Sequence, residues 1–189
     1  MSVRIAVLGA GRIGQVHARA IAGHDAAVLA AIADPIVAAA NVIADQYGCD
    51  VRTIDEIAAS DDVDGVIICT PTDTHADLIE KFVHCGKAIF CEKPIDLDIN
   101  KVNECRENIK GTNVPIQIGF NRRFDASHAK AQQARVKKEI GELEMVVITS
   151  RDPEPPGIDY LKAAGGFFRD TTIHDFDLTR FILGDDPVV

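Results

Sequence analysis

Three glycines near the start of the chain have the spacing of a phosphate-binding loop. They lie in the segment Gly9-Ala10-Gly11-Arg12-Ile13-Gly14, between an apolar run and a helical pattern. In such a loop the first glycine permits a tight turn, the second lets the backbone approach a pyrophosphate, and the third allows close helix packing. A helix that begins at Arg12 and Ile13 presents backbone N–H groups to an anion. The pattern predicts a dinucleotide site, and a glycine turn without a ligand is the alternative.

A carboxylate at a fixed distance from this loop bears on which dinucleotide binds. Asp34 lies twenty residues after Gly14, at the end of the second predicted strand. A carboxylate there accepts hydrogen bonds from both hydroxyls of an adenosine ribose and repels a 2′-phosphate. Pro35 and Ile36 supply no cation to offset that repulsion. The sequence therefore favours NAD over NADP.

Two further segments with polar residues follow the strands predicted below at 66–69 and 88–91. They are Thr70-Pro71 and Glu92-Lys93-Pro94. Ligands of doubly wound sheets bind beyond the carboxyl ends of the strands, so both segments are expected to face the cofactor. His75, near the start of the next helix, is a further candidate for a place near the nicotinamide. An ordinary surface ion pair between Glu92 and Lys93 is the alternative for that segment.

Near the end of the chain, an acid and a histidine have helical spacing. Asp170 and His174 stand at positions i and i+4, and Asp177 extends the same face. Apolar residues around them predict a largely buried helix, in which a hydrogen-bonded Asp–His pair is suited to acid–base chemistry. A structural histidine with a capping aspartate is the alternative. A metal site, suggested by the neighbouring Asp175, is not predicted because a set of further ligands is lacking.

The elements that must position these residues follow from the hydrophobic pattern. Up to Gly119, short apolar runs alternate with amphipathic stretches, which predicts a Rossmann-type α/β domain with a doubly wound parallel sheet over residues 1–119. Its strands are predicted at 3–8, 28–33, 66–69, 88–91 and 115–118. Its helices are predicted at 12–22, 36–47, 54–59, 73–85 and 98–109.

After Gly119 the pattern changes, and the start of an α+β substrate domain is predicted over residues 120–189. This domain is expected to contain a charged helix over 125–139, a strand over 142–150 and a helix over 170–183. The strand is predicted from its β-branched residues, and proline and glycine mark the loop between strand and final helix.

Composition excludes some classes of function. The net charge of −9 over 189 residues argues against a nucleic-acid or membrane-surface partner. The start of the chain does not resemble a signal peptide, and no apolar run is long enough to span a bilayer. The five cysteines form no C-x-x-C pair, which predicts a reduced, cytoplasmic protein. Cys69 and Cys91, in apolar runs, are expected to be inert.

Taken together, the motifs resemble one family, the Gfo/Idh/MocA oxidoreductases. The segments that carry the resemblance are 9–17, 70–75 and 86–94, with 119–125, 150–153 and 165–177 closer to the inositol 2-dehydrogenase branch. The resemblance implies NAD-dependent oxidation of a ring secondary alcohol, such as that of myo-inositol, to a ketone. Two alternatives stay open: an NAD-binding fragment without turnover, and a related dehydrogenase of another sugar or pyranose.

The resemblance also implies roles for individual residues. Lys93 would contact substrate, and Pro94 would shape the loop beside the nicotinamide. His174 would take the proton from the substrate hydroxyl, and Asp170 would orient it. A weaker correspondence implies that Arg122 and Asp152 face the substrate.

Members of this family are longer than the present chain. Their second domain is built on an open antiparallel sheet, and most of that sheet is expected to be absent here. The missing sheet would leave an apolar surface exposed on the second domain. Either association, such as a homo-oligomer, covers this surface, or the chain is a fragment.

Overall fold

The computed structural model describes residues 2–151, 154, 157–158 and 164–186. Its contacts divide the chain into two compact units, residues 1–119 and 120–189. The first unit alternates strands and helices along its whole length. Its strands are β1 (Val3–Leu8), β2 (Ala27–Ala33), β3 (Asp50–Val51), β4 (Gly65–Ile68), β5 (Ala88–Cys91) and β6 (Ile116–Ile118). Its helices are α1 (Arg12–Ala22), α2 (Val37–Tyr47), α3 (Ile54–Ala59), α4 (His75–His84) and α5 (Ile99–Asn108).

The six strands form one parallel sheet in the order β3-β2-β1-β4-β5-β6. This confirms the predicted α/β fold of the Rossmann type. The strand order reverses between β1 and β4, where sheets of this kind form a crevice at their carboxyl ends. The glycine loop follows β1 and therefore lies at this crevice.

The central strands of the sheet are largely buried on both faces, as their apolar sequences predict. Successive residues of β1 point to opposite sides: Leu8 packs in a cluster that contains Phe82 of α4, and Val7 packs with Ile21 and Ile43 of α1 and α2. The side chains of Leu8, Val7 and Phe82 are fully buried. Burial of each such side chain contributes about 1.5–3 kcal/mol, so these two clusters hold the strand ends in place.

Local sequence explains where several helices begin and end. Thr53 and Glu56 form a capping box at the start of α3, and the Asp98 side chain accepts a hydrogen bond from the N–H of Asn100 at the start of α5. Gly48 ends α2 in the left-handed conformation, with φ of 71°, which glycine adopts without a Cβ clash. Strand β3, two residues at the sheet edge, was not predicted because it is too short to show a period.

The second unit contains a 3₁₀ turn at Asn121–Phe124, helix α6 (Ala126–Val136), a π-helical turn at Phe168–Thr172 and helix α7 (Ile173–Leu183). Asp125, predicted as the first residue of the charged helix, instead caps α6 by accepting from the N–H groups of Ser127 and His128. The helix ends at Val136, three residues before its predicted end at Glu139.

The strand predicted over 142–150 is wrong: these residues form no ladder with any described part of the chain. A strand requires a hydrogen-bonded neighbour, and its β-branched composition cannot replace one. Met145 and Val147 are largely exposed as a result.

The prediction that the final helix is largely buried is also wrong. In α7 only Asp177 and Leu178 are buried, and Phe176 is exposed. Among the described elements, α6, the 3₁₀ turn at Asn121–Phe124 and the π-helical turn contact α7.

Candidate active site

The glycine loop has the geometry that the spacing predicts. Gly9 has φ of 100°, and a Cβ there would lie 2.7 Å from the carbonyl oxygen of Cys69. A Cβ on Gly14 would overlap the carbonyl oxygen of Gly9, so helix and loop touch backbone to backbone. A Cβ on Gly11 would meet open space instead. Gly11 is thus the point at which a ligand can approach the backbone.

Helix α1 begins directly after this open point. Its N-cap is Gly11, which has no side chain to satisfy the first N–H groups of the helix. Arg12 and Ile13 occupy the first turn, and this turn contains no acidic residue. These N–H groups and the positive end of the helix dipole suit a pyrophosphate.

Asp34, at the end of β2, is tied to the glycine loop. Its Oδ2 accepts a hydrogen bond from the N–H of Ala10 at 2.7 Å, and its Oδ1 accepts from the N–H of Ile36 at 2.8 Å. The side chain is only partly buried, so lone pairs on both oxygens remain for ribose hydroxyls. Hydrogen bonds therefore hold the residues that would bind the pyrophosphate next to the residue that would bind the ribose.

The segments after β4 and β5 are connected by His75. The ring of His75 is 2% exposed, and its nitrogens lie 2.8 Å from the carbonyl oxygens of Pro94 and of Thr70. Thr70 is further held by a 2.6 Å contact between its hydroxyl and that of Thr74. The peptide bond between Lys93 and Pro94 is cis. Pro71 is exposed at the start of the turn that leads into α4.

Glu92 is joined to the glycine-loop helix rather than standing alone. Its Oε1 lies 2.7 Å from Nε2 of His17 in α1, and the His17 ring meets the ring of Phe90 edge to face at 5.2 Å. The sequence did not identify His17 as the partner of Glu92. No local sequence pattern could indicate this pair, because the two residues are 75 positions apart in the chain.

In the second unit, the π-helical turn carries Asp170, and α7 carries His174. Both residues are half-buried, and the ring of His174 lies edge to face with that of Phe120 at 6.5 Å. π-helical turns are rare and are frequent at functional sites. The predicted i, i+4 spacing thus spans a change of helix type rather than a continuous α-helix.

Two adjacent arginines bind two acids of α7. Arg122 donates to Asp175 and, at 3.0 Å, to the hydroxyl of Ser150, which itself donates to Asp175 at 2.5 Å. Burial raises the pKa of Asp175, but the hydrogen bonds from Ser150 and Arg122, with the nearby charge, outweigh it and leave the pKa below its usual range. Arg123 binds Asp177. The sequence singled out Arg122 but gave no sign of Asp175 and Ser150 as its partners.

The remaining predicted site residue, Asp152, lies outside the described residues. Within the described part of the chain, no group of three or more His, Cys, Asp or Glu side chains is arranged to hold a metal ion. No helix in that part is long and apolar enough to cross a membrane.

Two family models match the chain. Residues 3–120 match the model described as an oxidoreductase family with an NAD-binding Rossmann fold, and residues 128–189 match the Gfo/Idh/MocA C-terminal domain. The chain belongs to the Gfo/Idh/MocA oxidoreductase family. The resemblance expected from the motifs is thereby confirmed, and the first unit is the NAD-binding Rossmann fold of that family.

Individual relatives are dehydrogenases of inositols. An inositol 2-dehydrogenase of Rhizobium meliloti (strain 1021) is 58% identical over 188 residues, which cover 100% of this chain and 57% of that protein. The crystal structure of a putative myo-inositol dehydrogenase from Sinorhizobium meliloti 1021 has a TM-score of 0.95 at 58% identity, covering 99% of this chain and 57% of that one.

A more distant structure contains ligands. It is scyllo-inositol dehydrogenase from Lactobacillus casei with bound NAD(H) and scyllo-inositol, with a TM-score of 0.85 at 32% identity. The match covers 97% of this chain and 57% of that structure. The present chain thus spans somewhat more than half the length of these relatives.

Proposed function

We propose that the protein oxidises a secondary hydroxyl of a cyclic polyol of the myo-inositol type to a ketone, with NAD as the hydride acceptor. The observation that carries the proposal is the 58% identity to an inositol 2-dehydrogenase over 188 residues. The geometry of the first unit supports it independently, because Gly11 opens onto free space where α1 begins, next to the carboxylate of Asp34.

The first unit, residues 1–119, would bind the cofactor. The backbone from Gly9 to Gly14 would hold the pyrophosphate through N–H groups, and Asp34 would accept hydrogen bonds from the adenosine ribose. The segments that begin at Thr70 and at Glu92 would flank the nicotinamide. These segments comprise Thr70, Pro71, His75, Glu92, Lys93 and Pro94. When bound, NAD supplies the hydride-accepting carbon.

The second unit, residues 120–189, would supply the acid–base chemistry. His174 would accept the proton that leaves the substrate hydroxyl, since an imidazole titrates close to neutral pH. Asp170 would orient that imidazole, and Lys93 of the first unit would contact substrate. Arg122, fixed by Asp175 and Ser150, and Asp152 would bind other hydroxyls of the ring.

The proposal is tested by following NADH absorbance with NAD and myo-inositol. Wild-type protein is expected to produce NADH, and His174→Ala is expected to reduce kcat by about 10²–10⁴, the usual contribution of a general base. His84→Ala, an exposed histidine at the end of α4, is the matched control and should be unchanged. Absence of NADH production by wild-type protein that binds NAD in calorimetry contradicts the proposal.

A second candidate is an NAD-binding protein without turnover. It is favoured by the exposure of the second unit around the proposed base: Phe167, Phe168 and Phe176 are each more than half exposed among the described residues. This candidate predicts NAD binding that His174→Ala leaves unchanged, and no NADH from any polyol. A panel of inositols and pyranoses also separates inositol oxidation from the action of a related sugar dehydrogenase.

The proposed location is the cytoplasm, and a homo-oligomer is the proposed assembly. All five cysteines are free thiols, which suits a reducing compartment. The exposed aromatic side chains of the second unit suit an interface. Light scattering of the purified chain measures its mass in solution, and a monomeric mass contradicts the proposed assembly.

A further inference from the structure

Both ring nitrogens of His75 face hydrogen-bond acceptors. Its two nitrogens each lie 2.8 Å from a backbone carbonyl oxygen, Nδ1 from that of Pro94 and Nε2 from that of Thr70. Carbonyl oxygens only accept hydrogen bonds, so each ring nitrogen must donate one. A neutral imidazole carries a single N–H and makes one of the two bonds. Both bonds form together only if both ring nitrogens carry a proton.

The two carbonyl groups belong to segments that lie side by side. Strand β4 pairs in parallel with β5, so their carboxyl ends, and the segments that follow them, meet at one edge of the sheet. His75 connects these segments while it is 2% exposed. A water molecule therefore has little access to replace either bond.

The position of these segments relative to the glycine loop assigns them to one half of the cofactor. Asp34 lies on the β2 side of β1, where it would bind the adenosine ribose, and β4 lies on the other side of β1. A dinucleotide with its pyrophosphate at the glycine loop extends its second nucleotide over β4 and β5. The carbonyl groups held by His75 thus underlie the nicotinamide half.

We propose that His75 is a positioning residue of the NAD site, a cationic clamp that fixes the backbone at Thr70 and Pro94 and so sets the place of Lys93 and the nicotinamide. The inference rests on the proposed function, since it takes NAD as the ligand of this sheet edge. His75 itself does not touch the cofactor in this scheme. Its effect passes through the two carbonyl groups and the peptide units to which they belong.

The first test compares two ligands that differ only beyond the pyrophosphate. Calorimetry measures the affinity of NAD and of ADP-ribose, which lacks the nicotinamide. In His75→Ala, NAD is expected to bind about tenfold more weakly, as for the loss of hydrogen bonds to a buried charged group, while ADP-ribose binding stays within about twofold. His84→Ala on the same helix is the control. Equal changes for both ligands, or no change for either, overturn the proposal.

Chemical rescue of His75→Ala tests whether the hydrogen bonds of His75 or only the volume of its ring supports NAD binding. Imidazole added to His75→Ala carries two N–H donors in its protonated form and is expected to restore NAD affinity. Thiazole has a ring of similar size without an N–H donor and is expected to restore none. Equal restoration by both rings overturns the role of the two hydrogen bonds.

A measurement on the wild-type protein keeps the proposal testable if His75→Ala does not fold. Nuclear magnetic resonance of the ring nitrogens at pH 7 is expected to show a slowly exchanging proton on each nitrogen of His75. A proton on one nitrogen alone overturns the clamp. Failure of wild-type protein to bind NAD contradicts the proposed function instead, because the ring measurement requires no ligand.

Discussion

Arg123 donates two hydrogen bonds to the carboxylate of Asp177, from Nε at 2.8 Å to one oxygen and from a terminal nitrogen at 2.5 Å to the other. The Asp177 side chain is buried, whereas Arg123 remains partly exposed and lies over the ring of Phe181 at 5.6 Å. The hydrogen bond with Asp177 raises the pKa of Arg123 above its usual range. This pair fastens the 3₁₀ turn before α6 to helix α7.

Removal of the buried acid is expected to destabilise the second unit. Asp177→Ala leaves Arg123 without its partner and should lower the free energy of unfolding by about 2 kcal/mol, less than for a fully buried pair because the guanidinium reaches solvent. Urea unfolding measures the change. Asp186→Asn, which removes an exposed partner of Arg180, is the control and should change stability by less than about 0.5 kcal/mol. A loss at Asp177 no larger than that of the control contradicts the structural role.

Replacement of Asp34 is expected to weaken NAD binding and relax discrimination against NADP. Asp34→Ala removes the acceptor for the ribose hydroxyls and the bond to the N–H of Ala10, which should cost about tenfold or more in NAD affinity. The negative charge that repels a 2′-phosphate is lost as well, so the NADP affinity should rise relative to NAD. Calorimetry with both nucleotides gives the ratio, and Asp45→Ala on the exposed side of α2 serves for comparison. An unchanged ratio rules out the assigned role.

Thiol reactivity is expected to be confined to Cys85. Burial raises the pKa of Cys69 to about 12 and that of Cys105 to about 11, and it raises those of Cys49 and Cys91 as well. The thiolate is the reactive form, so these four thiols should react slowly at pH 8. An aromatic disulfide reagent should react rapidly with one thiol per chain of the wild-type protein and with no thiol of Cys85→Ser. Two or more rapid equivalents from native protein contradict the prediction.

The loss of thermal stability at acidic pH should depend on Asp62. Hydrogen bonds from Arg52 and Arg4 hold the pKa of this carboxyl well below its usual range. A group with a depressed folded-state pKa stabilises the protein above its unfolded value, about 3.9, and that stabilisation is lost as the pH falls towards the folded value. The melting temperature of Asp62→Asn should therefore lie below that of wild type at pH 7, and the gap should close below about pH 4.

The neighbouring Asp61 provides the matched control for this experiment. It is exposed and carries the same charge, so Asp61→Asn should leave the melting temperature nearly unchanged at both pH values. A gap for Asp62→Asn that persists in acid would show that packing, rather than charge, is responsible. Salt should reduce the gap at pH 7, since ions screen exposed pairs.

The first unit was predictable because its strands and helices are specified locally. The run from Val3 to Leu8 is apolar apart from Arg4, because β1 is central and its last three residues are buried, and its predicted bounds match those observed. The position of Asp34 beside the glycine loop was predictable for a related reason, because a short loop and one crossover helix fix the spacing between them. The sequence carries such information at short range.

Long-range partners were not predictable. Nothing local to Glu92 indicates His17, and nothing local to Arg122 indicates Asp175, because folding brings these pairs together from distant positions. The strand expected over 142–150 failed for the same reason, since strand formation depends on a neighbour rather than on β-branched residues. The π-helical turn at Phe168–Thr172 could not be predicted either, because a helix is recognised in a sequence from a constant period.

The central place of β1 in the sheet has a consequence for synthesis on the ribosome. This strand is made before β4, yet it pairs with β4 through residues Ile5 to Leu8, which meet Gly65 to Ile68. A nascent chain that ends before Ile68 therefore carries an apolar strand with one open edge. Such edges are sites of aggregation, and parallel pairings are slow to form because the intervening loop must close first. Until β4 emerges, the nascent chain therefore exposes the edge of β1 on which a second chain can pair.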